Sequence, residues 1–487
     1  MQIPNPNRDI FMNVIVIMLD SLRPDHLGFY GNEWIRTPNL DRFAGESTVF
    51  ERAYAEGMPT IPVRTALFTG KYTLMRRGWQ PLEPDDVTLA EILWGNHYDT
   101  ALISDTVPIH WPRMGHERGF DYVMFIRGQL GDPYAPVPNV KVDLSKWSPK
   151  NYLTEKDKRD FIYYLRNRYY WKSEEDHFIA RVIKAGIKWL EEKVLHEGRK
   201  DRLFLWLDCF DPHEPWDPPE EYYKLYAPKD YDGLPIINPS IYGKRGGFVE
   251  NFTEEEIRHV RAQYAGEVTL VDKWVGVFLE KVKELGIWEN SLIVLLSDHG
   301  EPLGEHGIVR KVRPWPYEEL ARIVLVIRHP EGLGRGRRVK TFVQTTDIFP
   351  TILDFLNISK YYEGYEQKPT PRPEGISLKP IVEGEGGEVR DYAIAGHYRR
   401  SWSIRNEEYS LYLWSLEEAV YTFGYGFIRD QEKSMPELYK VDRNYMPPSP
   451  SSWRIGEEQE RVNLIEEFRD AANELELHLR RELFRVL

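Results

Sequence analysis

The chain has 487 residues, 41% hydrophobic and 29% charged, enough apolar material for one large packed domain with a smaller appendage. A formal net charge of -13 excludes a general affinity for nucleic acid, so an anionic substrate must be drawn by a local positive site. The single cysteine, Cys209, excludes an internal disulfide framework, and neither a basic-plus-apolar leader nor a run of about 18 apolar residues is present, so the expectation is a cytoplasmic protein with no membrane partner.

Residues 14–19 are a continuous apolar, β-branched run, the pattern of a strand buried on both faces of a parallel sheet, with Asp20 at its C-terminal end. Thr88 with Glu91 forms a capping box that opens a helix, and 100–103 is the next strand, ending at Ser104 and Asp105. Residues 131–160, rich in Pro, Lys and Asp, are expected to be a long surface excursion. A helix is predicted over 176–196, where Ile179, Val182, Ile183, Ile187, Leu190 and Val194 share one face. The run 203–207 is a third buried strand, with Cys209 just beyond it as a small buried side chain. Residues 215–247, crowded with Pro, Gly and Tyr, suit a lid or rim loop. Thr253 with Glu256 opens a long helix that keeps its apolar spacing to about 285, where Gly286 stops it. The run 291–296 is a fourth buried strand and leads into Ser297-Asp298-His299-Gly300.

Alternation of such strands with helices predicts an α/β fold, a large mostly parallel sheet covered by helices on both faces. The Pro-rich run 368–373 marks a change of architecture. Beyond it, 402–414 suits two strands around Asn406-Glu407-Glu408, and 457–487 a charged amphipathic helix. The expected division is a catalytic α/β domain over 1–380 and a small C-terminal α+β subdomain, an antiparallel sheet plus a helix, over 381–487.

Ligands gather at the C-terminal edge of such sheets. Three clusters fall there: Asp20; Asp298 with His299; and the turn Thr60-Ile61-Pro62-Val63-Arg64. Two carboxylates and an imidazole suit one divalent ion, with manganese or zinc favoured over calcium or magnesium. The Thr60 oxygen completes the expected ligand set of Asp20, Thr60, Asp298 and His299, since a bound metal lowers the pKa of a hydroxyl nucleophile. Arg64 is the expected donor to the developing oxyanion. Each residue also has an ordinary reading: Asp20 as a strand terminator, Thr60 as a helix N-cap, Arg64 as an ion-pair partner, His213 as a structural loop histidine, and Lys311 within Arg310-Lys311-Val312-Arg313 as part of a solvated face. His306 is expected to orient the metal ligands.

Thr60-Ile61-Pro62-Val63-Arg64, followed by Thr65-Ala66-Leu67-Phe68-Thr69-Gly70-Lys71, resembles the Cys/Ser-x-Pro-x-Arg signature of the sulfatase family of the alkaline-phosphatase superfamily, and the likeness runs from about residue 13 to 358. The resemblance implies that Asp20 is the first member of the family's Asp-Asp metal pair, with Ser21 in the second place, and that Asp298 and His299 are the second ligand pair. A histidine at that point is similar to phosphonate monoester hydrolases and phosphodiesterases. His213, in Asp211-Pro212-His213-Glu214-Pro215-Trp216, matches the histidine that contacts the substrate or protonates the leaving group. Lys311 matches the lysine that holds the transferred group. A second substrate lysine is missing from Asp105-Thr106-Val107-Pro108-Ile109-His110, which leaves His110 and His116 as possible substitutes.

Thr60 occupies the place of the Cys or Ser that sulfatases convert to formylglycine. Oxidation of a threonine would give a ketone, so that maturation is closed. The resemblance, with Thr60 in place, implies a metal-dependent hydrolase that cleaves a phosphate diester or phosphonate monoester through a covalent Thr60 intermediate. The expected partner is a small anionic ester, with a homo-oligomer compatible. A sulfuric ester hydrolase, a phosphoryl transferase or mutase, and a non-catalytic binding protein are the alternatives.

Overall fold

The computed structural model describes residues 11–134, 139–241, 246–311, 313–358, 373–415, 433–456 and 459–485. The apolar run near the N-terminus forms the strand Asn13–Leu19, buried along its whole length. It lies between two parallel neighbours of the same kind, Leu203–Cys209 and Ser291–Ser297. Side chains alternate across this strand with period two. Ile15, Ile17 and Leu19 join the core under the helices Phe178–Glu191 and Glu254–Glu284, while Val14, Val16 and Met18 join the core under Thr60–Thr69 and Ile348–Phe355. Burying each such side chain contributes roughly 1.5–3 kcal/mol. Gly186 lets one covering helix approach closely, because a Cβ there would stand 2.7 Å from Leu207 Cδ2.

Outward from these three strands the sheet has eight members, in the order Arg338–Val339, Thr48–Phe50, Leu325–Arg328, Ser291–Ser297, Asn13–Leu19, Leu203–Cys209, Asp99–Ser104 and Tyr122–Phe125. Only Leu325–Arg328 runs antiparallel to its neighbours. The expected mostly parallel sheet covered on both faces is therefore what forms. Leu19 pairs in register with Cys209 and with Ser297, so Asp20 and Asp298 leave the sheet side by side at one edge.

A second sheet of five strands, in the order Glu437–Lys440, Tyr409–Trp414, Ser401–Arg405, Ala393–His397 and Gly57–Met58, carries the helix Arg469–Arg485. The first four strands are antiparallel, and Asn406 closes the expected turn by accepting the Glu408 and Tyr409 N–H groups on Oδ1. The fifth comes from far earlier in the chain and pairs parallel, Gly57 with Gly396 and Met58 with His397.

Local differences from expectation have local causes. Within 131–160 the helix Glu155–Asn167 already begins, opened by a capping box of Thr154 and Asp157. The helix predicted over 176–196 is α-helical over Phe178–Glu191 and then widens to a π turn over Glu192–His196. In the tail, residues 459–468 run along the small sheet, with Leu464 N–H donating to Leu438 O, so the helix starts only at Arg469. Residues 368–372 of the Pro-rich run lie outside the described residues. Among the described residues no helix is long and apolar enough to cross a membrane.

Candidate active site

Asp20, Asp298 and His299, all fully buried, each direct one ligand atom into a common space in which these atoms lie within 4.8 Å of one another. His299 Nε2 is 3.4 Å from Asp298 Oδ2, 3.8 Å from Asp20 Oδ1 and 3.3 Å from Thr60 Oγ1. The other ring nitrogen, Nδ1, donates to Gly300 O at 2.8 Å, which leaves the lone pair on Nε2 facing the carboxylates. Burial holds the imidazole neutral, its pKa lowered to about 4. Burial and the neighbouring Asp298 charge push Asp20 above the ordinary carboxylate range, the expected response of like charges sharing a dry site. Two carboxylates and a neutral imidazole therefore fit a divalent cation, which relieves that repulsion.

Arg64 lies behind this trio and is also fully buried. Its guanidinium reaches Asp208 through Nε and Nη2 at 2.9 and 2.7 Å, Asp298 at 2.7 Å and Asp20 at 3.1 Å. Thr106 Oγ1 donates to Asp208 Oδ1 at 2.7 Å. Three carboxylates from three parallel strands thus share one planar cation, the geometry to which a guanidinium is suited. Arg64 does not line the cavity described below, so its contacts are those of a group that fixes the carboxylates.

Thr60 is the first residue of the helix Thr60–Thr69, whose N-cap position belongs to Pro59 with no side-chain capping bond. The alternative reading of Thr60 as a helix N-cap is not what forms, and its hydroxyl is directed to His299 instead. It stands where the buried trio meets a cavity of about 320 Å³ lined on its other sides by His213, Lys311, Glu214 and Arg310, with Trp79, Trp111 and Phe210 as flat apolar walls. Lys311 is buried rather than solvated, its ammonium 3.1 Å from Glu301 Oε2 and 3.2 Å from Ser21 Oγ. Burial alone would lower the pKa of this ammonium, but the Glu301 and Glu214 carboxylates outweigh it and raise it. His213 donates from Nδ1 to Glu214 O at 2.7 Å and stacks on Phe210. Burial, followed by the Lys311 charge, holds it well below the usual histidine range.

Ser21, which the sequence resemblance sets in the second place of the metal pair, has a left-handed backbone with φ 64°, held by Tyr264 O–H donating to its carbonyl at 2.8 Å. Its one hydroxyl hydrogen has Asp20 Oδ1 and Glu301 Oε2 as alternative acceptors, and its oxygen accepts from Lys311, so it links the lysine to the Asp20 carboxylate. Neither possible substitute for the missing lysine lines the cavity. His116 is buried against Phe68 and held neutral by burial, its pKa lowered to about 3, and His110 stacks on Phe125. Besides Lys311, the cations that line the cavity are Lys156, Arg159 and Arg310, and Arg310 is bound to Glu214, Asn238 and Pro239 O. His306 bonds Glu319 and Glu460 O instead of orienting a ligand carboxylate. Sequence reasoning missed Asp208, Glu301, Arg310 and the aromatic walls. Of these Asp208 carried a legible signal, a carboxylate at the end of a buried strand like Asp20.

The family model described as Sulfatase matches residues 12–358. The chain is 29% identical over 413 residues to an arylsulfatase of Clostridium perfringens, covering 79% of this chain and 81% of that one. It is 29% identical over 434 residues to the multifunctional alkaline phosphatase superfamily protein PehA of Trinickia caryophylli, covering 79% of each. Among solved structures, the phosphonate monoester hydrolase of Agrobacterium radiobacter superimposes with a TM-score of 0.69 at 22% identity, over 97% of this chain and 96% of that one. That last likeness is one of fold.

Proposed function

Because this chain belongs to the sulfatase family, we propose that it is a metal-dependent ester hydrolase that cleaves phosphate diesters or phosphonate monoesters through a covalent intermediate on Thr60. The observation that carries this reading is the position of the Thr60 hydroxyl at the first turn of its helix, at the junction of the cavity and the Asp20, Asp298 and His299 cluster. The cleavage of sulfate esters by a hydrated aldehyde requires a side chain that oxidises to an aldehyde. A threonine cannot, whereas its hydroxyl can attack phosphorus directly.

Asp20, Asp298 and His299 would hold the divalent ion, with Thr60 as a fourth ligand, and the imidazole among them favours manganese or zinc over calcium. Bound there, the ion supplies positive charge that lowers the hydroxyl pKa and offsets charge on the ester. Arg64 holds the ligand carboxylates in place. Lys311, kept charged by Glu301 and Glu214, receives an anionic oxygen of the transferred group. That anion would offset the Lys311 charge which helps keep His213 neutral, so substrate binding itself raises the proton affinity of His213 and prepares it to serve the leaving oxygen. Trp79, Trp111 and Phe210 give the leaving group an apolar slot.

The test is an acid quench during turnover of an aryl phosphodiester or phosphonate ester, followed by peptide mass analysis. The Thr60 peptide is expected to carry the phosphoryl group with its uncleaved ester group still attached, or the phosphonyl group, after one alcohol has left, with Thr60→Ala nearly inactive. Strong turnover of aryl sulfates together with an active Thr60→Ala variant would overturn the assignment.

A further inference from the structure

A second cluster of buried ligand groups takes no part in the reaction described above. His177, Asp217 and Glu267 each offer one ligand atom, and these atoms lie within 4.8 Å of one another. They come from three separate elements. His177 immediately precedes the helix Phe178–Glu191, Asp217 follows the segment that carries His213, and Glu267 sits in the middle of Glu254–Glu284. Their exposures are 8%, 7% and 2%.

The charges in this pocket do not balance. Asp217 Oδ1 accepts the Tyr164 hydroxyl at 2.6 Å, and Oδ2 lies 2.6 Å from Arg168 Nη1, so this carboxylate has its cation. Glu267 Oε1 accepts only the Asp217 backbone N–H, at 3.0 Å. Its Oε2 is buried and has no hydrogen-bond partner. A buried carboxylate oxygen without a hydrogen-bond donor is costly, and here a histidine ring nitrogen and a second carboxylate oxygen stand beside it. One imidazole and two carboxylates form a donor set suited to zinc or manganese, with room in the coordination sphere for water.

We propose that His177, Asp217 and Glu267 form a second divalent-cation site, separate from the reaction centre, that fastens the His213-bearing segment to the long helix Glu254–Glu284. It shares no residue with the Asp20, Asp298 and His299 cluster, so the two can be emptied independently. The bland alternative is a proton on Glu267.

The experiment strips the full-length protein with a chelator, dialyses it against ZnCl2 and counts bound metal by mass spectrometry in wild type, Asp298→Asn and Glu267→Gln. An ion retained in Asp298→Asn and lost in Glu267→Gln, with wild type holding two equivalents, is the expected pattern. Should Glu267→Gln fail to fold, zinc-edge anomalous scattering from wild-type crystals decides, since a peak between the three side chains supports the site and its absence overturns it. Complete loss of zinc in Asp298→Asn likewise overturns it. If wild type and Asp298→Asn each hold one ion that Glu267→Gln loses, the second site stands and it is the reaction-centre assignment that fails.

Discussion

Replacing Arg64 with methionine would remove the one guanidinium shared by Asp20, Asp208 and Asp298 while keeping the length of the side chain. Four hydrogen bonds of 2.7–3.1 Å would disappear with it, all among groups with no solvent exposure. Breaking a single buried pair costs roughly 3–5 kcal/mol. Three pairs will not sum, because the carboxylates respond by taking up protons, so we expect the metal-free variant to lose roughly that single-pair figure, a large part of a typical folding stability. A divalent ion would give Asp20 and Asp298 a new partner but leave Asp208 with only Thr106, so added Mn2+ should stabilise Arg64→Met more than it stabilises wild type. Urea unfolding followed by tryptophan fluorescence, in EDTA and in MnCl2, measures both. A loss below about 1 kcal/mol in EDTA, or an equal gain from Mn2+ in the two proteins, would refute the view that Arg64 holds the ligand carboxylates.

Chelation should abolish turnover, and Mn2+ or Zn2+ should restore it better than Ca2+; calcium giving the highest activity would contradict an imidazole-containing ligand set. His213→Ala should damage esters of basic alcohols more than nitrophenyl esters, because proton donation matters most for poor leaving groups, and a uniform loss across the series would mean that His213 only binds. His306 is a further target. Burial would depress its pKa, but the Glu319 carboxylate outweighs this and raises it to about 9. A raised histidine pKa contributes stability that is full below about pH 6.5 and lost as the pH rises through 9, on the order of 3 kcal/mol. His306→Gln should therefore flatten stability across that interval, and an unchanged slope in denaturation curves would exclude the ion pair.

The three central strands were legible because each is an uninterrupted apolar run, the signature of burial on both faces. Asp20 and Asp298 were legible because they terminate such runs. Leu325–Arg328 is not among the strands expected from the sequence, and its antiparallel direction has no local signal, since an apolar run looks the same in either orientation. Gly57–Met58 is too short to show any period, and its partner lies more than three hundred residues away. The helix Glu155–Asn167 carried a legible Thr-x-x-Asp start, masked by a Pro- and Lys-rich context. Arg64 illustrates the limit at the candidate site. Its motif marks it as important, but that its guanidinium meets three carboxylates depends on the register of three strands, which no local pattern encodes. The cavity walls Trp79, Trp111 and Phe210 meet only through tertiary packing.

The pairing of Gly57–Met58 with Ala393–His397 has a consequence in time. The two residues stand just before Thr60, and their partner strand Ala393–His397 is made more than three hundred residues later. At about 5–20 residues per second on the ribosome, the interval between the two is on the order of tens of seconds. By the time its last strand, Arg338–Val339, has been made, the large sheet can assemble while the backbone leading to Thr60 still lacks its partner strand. The turn that carries the Thr60 hydroxyl is thus completed late in the assembly of the fold, only when Ala393–His397 returns to Gly57–Met58.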